Sequence, residues 1–109
     1  MKDIVWLGQT YKDVKSYPKK VKREIGFNLD RLQRGLEPCD WKNLVGLGQG
    51  IQEIRIHEMN EYRVVYIAKF AEAIYILHSF VKKTQQTSHK DIELIKNRYA
   101  EILALRNKK

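Results

Sequence analysis

The chain has 109 residues, which is enough for one domain (residues 1–109) with a single hydrophobic core and too few for two. A hydrophobic fraction of 43% is ordinary for a globular protein and argues against an intrinsically disordered chain. The formal net charge is +8, from 21 Lys and Arg against 13 Asp and Glu, which favours polyanionic partners such as nucleic acid.

The positive charge is concentrated in two segments. Residues 10–34 carry eight cations and three anions, and residues 81–109 carry the same numbers, so each segment has a net charge of +5. Residues 35–80 carry four cations and six anions, a net charge of −2. Two basic segments folded onto one side would produce a directional field. A basic protein that is merely soluble is the plainer alternative.

The cysteine and histidine residues indicate whether disulfides and metal sites are possible and which cellular compartment fits. Cys39 is the only cysteine, so no intramolecular disulfide is possible and a reducing compartment fits. The histidines and this cysteine lack metal-ligand spacing, so we expect no metal and no other cofactor. The sequence shows no signal peptide and no run of roughly 20 apolar residues. We therefore expect a cytoplasmic protein without membrane contact.

The first half of the chain predicts one strand and two helices. Residues 3–7 read as a short strand, and residues 10–16 as a helical turn. Pro18 stands where a first helical residue is favoured, and Gly35 is a plausible stop. The apolar residues between them recur every three or four positions, which is typical of an amphipathic helix: Val21, Ile25, Leu29, Leu32 and Leu36. Residues 37–50 read as a loop.

The second half predicts three strands and a helix. From Ile51 the apolar period becomes two, so residues 53, 55 and 57 share one face of a half-buried strand. Residues 58–61 read as a turn, and residues 62–70 and 73–81 as antiparallel central strands joined by a tight link. Ser88 and Asp91 resemble a helix cap. This order predicts an α+β fold with an antiparallel sheet that has a mixed edge, N-terminal helices and a C-terminal helix.

The register of the last two strands decides which side chains meet. A link at residues 70–73 makes paired positions sum to about 143, by turn geometry. Arg63 then lies opposite Phe80, and His78 lies on the same face with Lys82 at its end. Arg55 on the neighbouring strand can reach this patch. A register slip of one residue would move the whole set to the opposite face.

These residue types suit the cleavage of RNA without a metal. The 2′-hydroxyl must lose a proton and attack phosphorus, the phosphate charge must be stabilised, and the leaving 5′-oxygen must be protonated. Arginine forks bind phosphate oxygens, histidine or a lysine with a depressed pKa moves protons, and Phe80 could stack on a base. The plainer interpretation is that cations at strand ends are solvated and that His78 is a core histidine.

Three segments of the second half resemble a known family: QEIR at residues 52–55, YRVVY at residues 62–66 and LHSFVKKTQ at residues 77–85. They are similar to the RelE/HigB toxins of type II toxin–antitoxin systems, in the branch related to phage Gp49-like proteins. The resemblance runs from the helix at Pro18 to the terminal helix. It implies a RelE-like fold and a ribosome-dependent endoribonuclease that cuts mRNA and inhibits translation.

The resemblance also implies catalytic positions. The cationic positions of the family fall on Arg55, Arg63 and Lys83, with Lys82 beside the last. A tyrosine that some relatives place just after the final strand falls near His89, so His89, His78 or a lysine is left as the proton carrier. We rank His89 slightly above His78, because it lies beyond the apolar run.

The partners implied by the resemblance are the ribosome with its mRNA and a cognate antitoxin, commonly a helix-turn-helix DNA-binding protein. Contact with DNA would then be indirect, through the antitoxin. Two rivals stay open: a ParE-type toxin that inhibits DNA gyrase on the same scaffold, and a non-catalytic basic domain that only holds phosphates.

Overall fold

Five strands form one mixed sheet in the computed structural model, which describes residues 1–108. In chain order the elements are β1 (Asp3–Trp6), α1 (Thr10–Lys15), α2 (Lys19–Gln33), β2 (Trp41–Asn43), β3 (Ile51–Glu58), β4 (Asn60–Ile67), β5 (Ala73–Lys82) and α3 (His89–Asn107). The strand order is β1-β5-β4-β3-β2, with β1 parallel to β5 and the other pairs antiparallel. The predicted α+β fold is confirmed.

Each face of the sheet packs against helices. Ile54, Val64 and Ile76 belong to a core cluster with apolar residues of α1 and α2. On the other face, Val65 and Leu77 belong to a second cluster with residues of α3. The central strand β4 is therefore buried on both faces from residue 62 to residue 67, as its apolar run, interrupted there by Arg63, predicts. No helix within residues 1–108 is long and apolar enough to cross a membrane.

The helix α2 ends earlier than the apolar spacing predicts. Gly35 has a φ of +79°, which a glycine adopts without steric cost, and its N–H donates to the Leu32 carbonyl at 3.0 Å. The Leu36 N–H donates to the Arg31 carbonyl at 2.8 Å, which completes a Schellman C-cap. Gly35 is thus the predicted stop, but Leu36 lies beyond the helix and is 49% exposed. Its predicted place in the apolar stripe is wrong.

Two connections differ from their predictions. The segment 37–50 is not all loop, because Trp41–Asn43 forms a three-residue strand against residues 52–54 of β3. Such a short polar strand has no periodicity that a sequence pattern could reveal. The turn between β3 and β4 is also tighter than predicted, with Met59 alone at a φ of 62° between the two strands.

The cap of α3 agrees with its prediction and gives a stability test. The Ser88 Oγ accepts a hydrogen bond from the Asp91 N–H at 3.1 Å, and its hydroxyl donates to Asp91 Oδ2 at 2.6 Å. We expect Ser88→Ala to lower the free energy of unfolding by about 1 kcal/mol, because the first turn loses its acceptor. Urea unfolding measures this change. The control Ser88→Asn keeps a capping oxygen and most of the stability, and an unchanged midpoint in Ser88→Ala would contradict the cap.

Candidate functional site

The register between β4 and β5 brings the predicted patch together. Arg63 pairs with Phe80 and Val65 pairs with His78, so the predicted sum of 143 is confirmed for this half of the hairpin. The register shifts by one residue between Val65 and Tyr66. This irregularity lies on the side towards the hairpin link and leaves the predicted patch intact.

Strand β3 adds a third column to the patch. Arg55 pairs with Arg63, and His57 pairs with Glu61, which in turn pairs with Lys82. Nine side chains therefore occupy three rows on the face of the sheet that α3 covers, and we refer to them as the three-row face. The rows are Glu53, Val65 and His78; Arg55, Arg63 and Phe80; and His57, Glu61 and Lys82.

Arg63 is the buried centre of this face. It is only 3% exposed, and its Nε lies 3.0 Å from Oε1 of the buried Glu53. The Nε has no hydrogen-bond partner within residues 1–108, so this contact is an ion pair rather than a hydrogen bond. One terminal nitrogen donates to the Tyr62 carbonyl at 3.0 Å, and the other donates to Glu61 Oε1 at 3.1 Å. Direct contact of Arg63 with a substrate stays a prediction.

Arg55 is the more accessible of the two arginines, and the Nε of each lacks a hydrogen-bond partner within residues 1–108. Arg55 is half-buried, and its Nε is a buried N–H. Leaving such a donor unpaired costs roughly 1–3 kcal/mol.

Arg55 lines an open groove of about 660 Å³ between α2 and the end of β3. Its walls include an exposed cation, Arg23, and an aromatic ring, Phe27, that is 57% exposed. The full lining is Arg23, Glu24, Phe27, Asn28, Cys39, Asp40, Arg55, Ile56 and His57. We call this cavity the α2–β3 groove. Sequence patterns did not reveal it, because its walls come from three separate segments.

His57, which was absent from the predicted site, lies in this groove between two carboxylates. Its Nε2–H donates to Asp40 Oδ2 at 2.7 Å, and its Nδ1–H donates to Glu61 Oε1 at 2.6 Å. Carboxylates only accept, so both ring nitrogens carry protons. The Glu61 contact first, and then the Asp40 contact, raise the pKa of His57 above its ordinary value. In turn His57 first, and Arg63 after it, lower the pKa of Glu61.

His78 is a core histidine, the plainer of its two interpretations. Its Nε2 lies 2.6 Å from Asp91 Oδ1, and its Nδ1 lies 3.3 Å from a terminal nitrogen of Arg98. Arginine only donates, so Nδ1 accepts and Nε2 carries the proton. The ring stacks on Phe80 with centroids 5.3 Å apart. His78 therefore supports the half-buried Phe80 ring, while substrate binding by either residue stays a prediction.

The remaining predicted residues divide into two groups. Lys82 is half-buried beside Glu61 and lines a small cavity with Phe80 and the exposed Lys83. His89 is the first residue of α3, its side chain is 89% exposed, and its Nε2 lies 3.8 Å from Glu93 Oε1. No hydrogen bond or ion pair within residues 1–108 joins His89 to the three-row face. The structure therefore brings Lys82 to the site, leaves Lys83 at its margin and sets His89 apart.

The Glu53–Arg63 pair gives a stability prediction. We expect Arg63→Met to lower the free energy of unfolding by about 3–5 kcal/mol, because the buried Glu53 carboxylate is left without a cation. The double variant Glu53→Leu/Arg63→Met removes both charges and should recover most of this loss. Urea unfolding of the two single variants and the double variant measures the coupling. Additive losses would show that the two charges do not interact.

The His57 contacts give a pH prediction. A raised pKa means that the ion pairs stabilise the fold fully below the ordinary pKa of about 6.5 and lose this effect as the pH rises through the folded value. We expect the stability of the wild type relative to His57→Gln to fall from pH 6 to pH 9. Urea midpoints and NMR titration of the ring test this. A His57 pKa at or below 6.5 would contradict the contacts.

Comparison with known proteins assigns the chain to a family. The family model described as Phage derived protein Gp49-like (DUF891) matches residues 12–100, a range that contains α2, the strands β2 to β5 and most of α3. No curated protein matches the sequence closely enough to count as a relative. The matched range includes every residue of the three-row face and of the α2–β3 groove. The chain belongs to the Gp49-like phage-derived family, which is related to toxin–antitoxin systems.

Proposed function

We propose that this chain is the toxin of a type II toxin–antitoxin system of RelE/HigB type and that it cleaves mRNA on the ribosome without a metal. One observation carries the proposal: the half-buried Arg55 lines an open groove that also presents the cations Arg23 and His57. Family membership supports the role as a toxin. The nuclease activity is our proposal from the site.

The proposed chemistry assigns each cation a task. Arg55 binds the scissile phosphate, because a guanidinium offers a planar fork that matches two phosphate oxygens and stabilises their growing charge. Lys82 adds a point charge at the edge of the same face. Arg63, which is enclosed by carboxylates, holds Glu61 in place rather than binding RNA itself. Its part in catalysis is therefore positional.

Aromatic side chains offer surfaces for the bases. Phe27 is exposed on the wall of the α2–β3 groove, and Phe80 is half-buried next to Arg63. Stacking on an aromatic ring is tolerant of base identity and is the usual way in which proteins hold unpaired RNA. A splayed nucleotide on either ring would place its phosphate near the arginines.

The charge distribution supports a ribosomal setting. The two basic segments, residues 10–34 and 81–109, each have a net charge of +5 and attract any polyanion without reading its sequence. Ribosomal RNA supplies that polyanion, and the ribosome presents mRNA as an unpaired strand. In this proposal the basic segments dock the toxin, and the groove acts on the presented codon in the cytoplasm.

A toxin of this kind needs an antitoxin, and its family implies one. We propose that the antitoxin is a helix-turn-helix DNA-binding protein with an acidic surface that complements the basic segments. Contact of the complex with DNA would then pass through the antitoxin.

The Arg55 variant tests the proposed site. We expect Arg55→Ala to abolish growth arrest and to slow mRNA cleavage by roughly 10²–10³-fold, because one stabiliser of the phosphate charge is lost. Cleavage on programmed ribosomes measures the rate, and circular dichroism checks the fold. Lys96→Ala is a matched control, because it removes one exposed cation from α3 and gives the same net charge. Equal toxicity of a folded Arg55→Ala protein would contradict the site.

Primer extension on mRNA from cells that express the chain separates the function classes. Cuts in phase with codons support the nuclease. Growth arrest with DNA damage signalling and no cuts would instead indicate a gyrase inhibitor. RNA binding without either effect would indicate a non-catalytic domain.

A further inference from the structure

We infer that His57 is the general acid that protonates the leaving 5′-oxygen in this cleavage. The inference rests on the proposed nuclease function and names the proton carrier that sequence reasoning left open. His57 follows Arg55 by two residues on the same face of β3, and both line the α2–β3 groove. Its side chain is 48% exposed, so a substrate can reach it.

The proposed step conserves atoms and charge. The 2′-oxygen forms a bond to phosphorus and gives its proton to a water molecule, while the bond between phosphorus and the 5′-oxygen breaks. The bonding electrons leave with the 5′-oxygen, which takes a proton from His57. The products are a 2′,3′-cyclic phosphate and a 5′-hydroxyl, and the neutral imidazole regains its proton from solvent. The step needs no reactant other than RNA and water.

The contacts of His57 fit a proton donor at neutral pH. Glu61 holds Nδ1 and is itself held by Arg63, so the orientation of the ring is fixed from the sheet side. Asp40 lies in the segment before β2, and its half-exposed carboxylate accepts the hydrogen bond from Nε2. The leaving oxygen would take the place of Asp40 at Nε2. Both carboxylates favour the protonated ring, while burial opposes it.

Other charges near this ring lie further along the same elements. Glu58 follows His57 on β3 and forms an ion pair with Lys20 of α2 at 3.3 Å. Lys82 pairs in register with Glu61 on its far side. These cations each face a carboxylate, so the two direct acidic partners dominate the field at the imidazole.

The two other histidines are poorer donors. His78 is buried, its Nε2 proton is held by Asp91 and its Nδ1 faces Arg98. A proton released from it would have to leave the core. His89 is exposed on α3 with Glu93 as its ionic partner and lines neither the groove nor the three-row face. Only His57 combines exposure, two carboxylate partners and proximity to Arg55.

A sulfur leaving group tests the assignment. We expect His57→Gln to slow single-turnover cleavage of ordinary mRNA on programmed ribosomes by roughly 10²–10⁴-fold. The same mRNA with a bridging sulfur in place of the scissile 5′-oxygen should be cleaved by His57→Gln at close to the wild-type rate. A thiol has a pKa of roughly 8.5 and leaves as an anion without a donated proton. A residue that only stabilises the fold would not be rescued in this way.

The pH dependence gives a second readout. The wild-type rate on ordinary mRNA should fall at alkaline pH as His57 loses its proton, and His57→Gln should lack this fall. Asp40→Asn removes one of the two carboxylates, so the alkaline fall should move to lower pH. Circular dichroism and urea unfolding of each variant confirm that the fold is retained.

The possible failures are distinguishable. If the wild type cleaves mRNA and His57→Gln cleaves it equally fast, the assignment is wrong while the nuclease proposal stands. The assignment is also wrong if His57→Gln cleaves ordinary mRNA slowly and the sulfur substrate does not restore its rate, because His57 would then act by position alone. If the sulfur substrate instead restores the cleavage rate of a slow His89→Gln variant, the general acid is His89. If the wild type cleaves neither substrate, the nuclease proposal itself fails and His57 loses its role with it.

Discussion

A buried arginine on the central strand is the constraint on which the candidate site depends. Arg63 is almost inaccessible to solvent, so its charge must be met inside the protein, and Glu53 on β3 and Glu61 on β4 meet it. Glu53 reaches it only in the observed pairing of β3 with β4, because a slip of one residue would turn its carboxylate to the opposite face. The ion pair therefore specifies the register that places Arg55 next to Arg63. It also occupies Arg63, which leaves Arg55 as the more accessible of the two arginines.

This ion pair is the inner end of a series of five charged side chains of alternating sign that extends outward to the groove. The series is Glu53, Arg63, Glu61, His57 and Asp40. Each charge has neighbours of the opposite sign, which is why the pKa of His57 is raised while that of Glu61 is lowered. The series holds two cations and three anions and attracts no phosphate by itself. The cations that accompany it at the groove are Arg55 and Arg23. In the proposed mechanism the series supplies orientation and a proton, and these cations supply the binding.

The parts of this structure that local chemistry determines could be predicted from the sequence. The period of two along β3, the hairpin of β4 and β5 and the cap at Ser88 each depend on neighbouring residues, and the predicted register that joins Arg63 to Phe80 is confirmed. The predicted link at residues 70–73 is wrong in its bounds, because β4 ends at Ile67 and the link is residues 68–72. Long-range pairings could not be predicted. Nothing in the local pattern shows that Glu53 is buried or that Asp40 reaches His57 across 17 positions. His57 was assigned to the polar face of a strand, which is correct, but its function depends on contacts that only the folded chain creates.

The shortness of β2 explains why a groove exists beside Arg55 at all. This strand pairs with β3 only from residue 52 to residue 54, so residues 55–58 of β3 pair with β4 but not with β2. Asp40 then turns across the gap, where its carbonyl accepts the Arg55 N–H at 2.9 Å and its carboxylate accepts from His57. One residue thus caps an open sheet edge and fixes the groove histidine. The irregular segment before β2 therefore lies beside Arg55 and His57 where they line the groove.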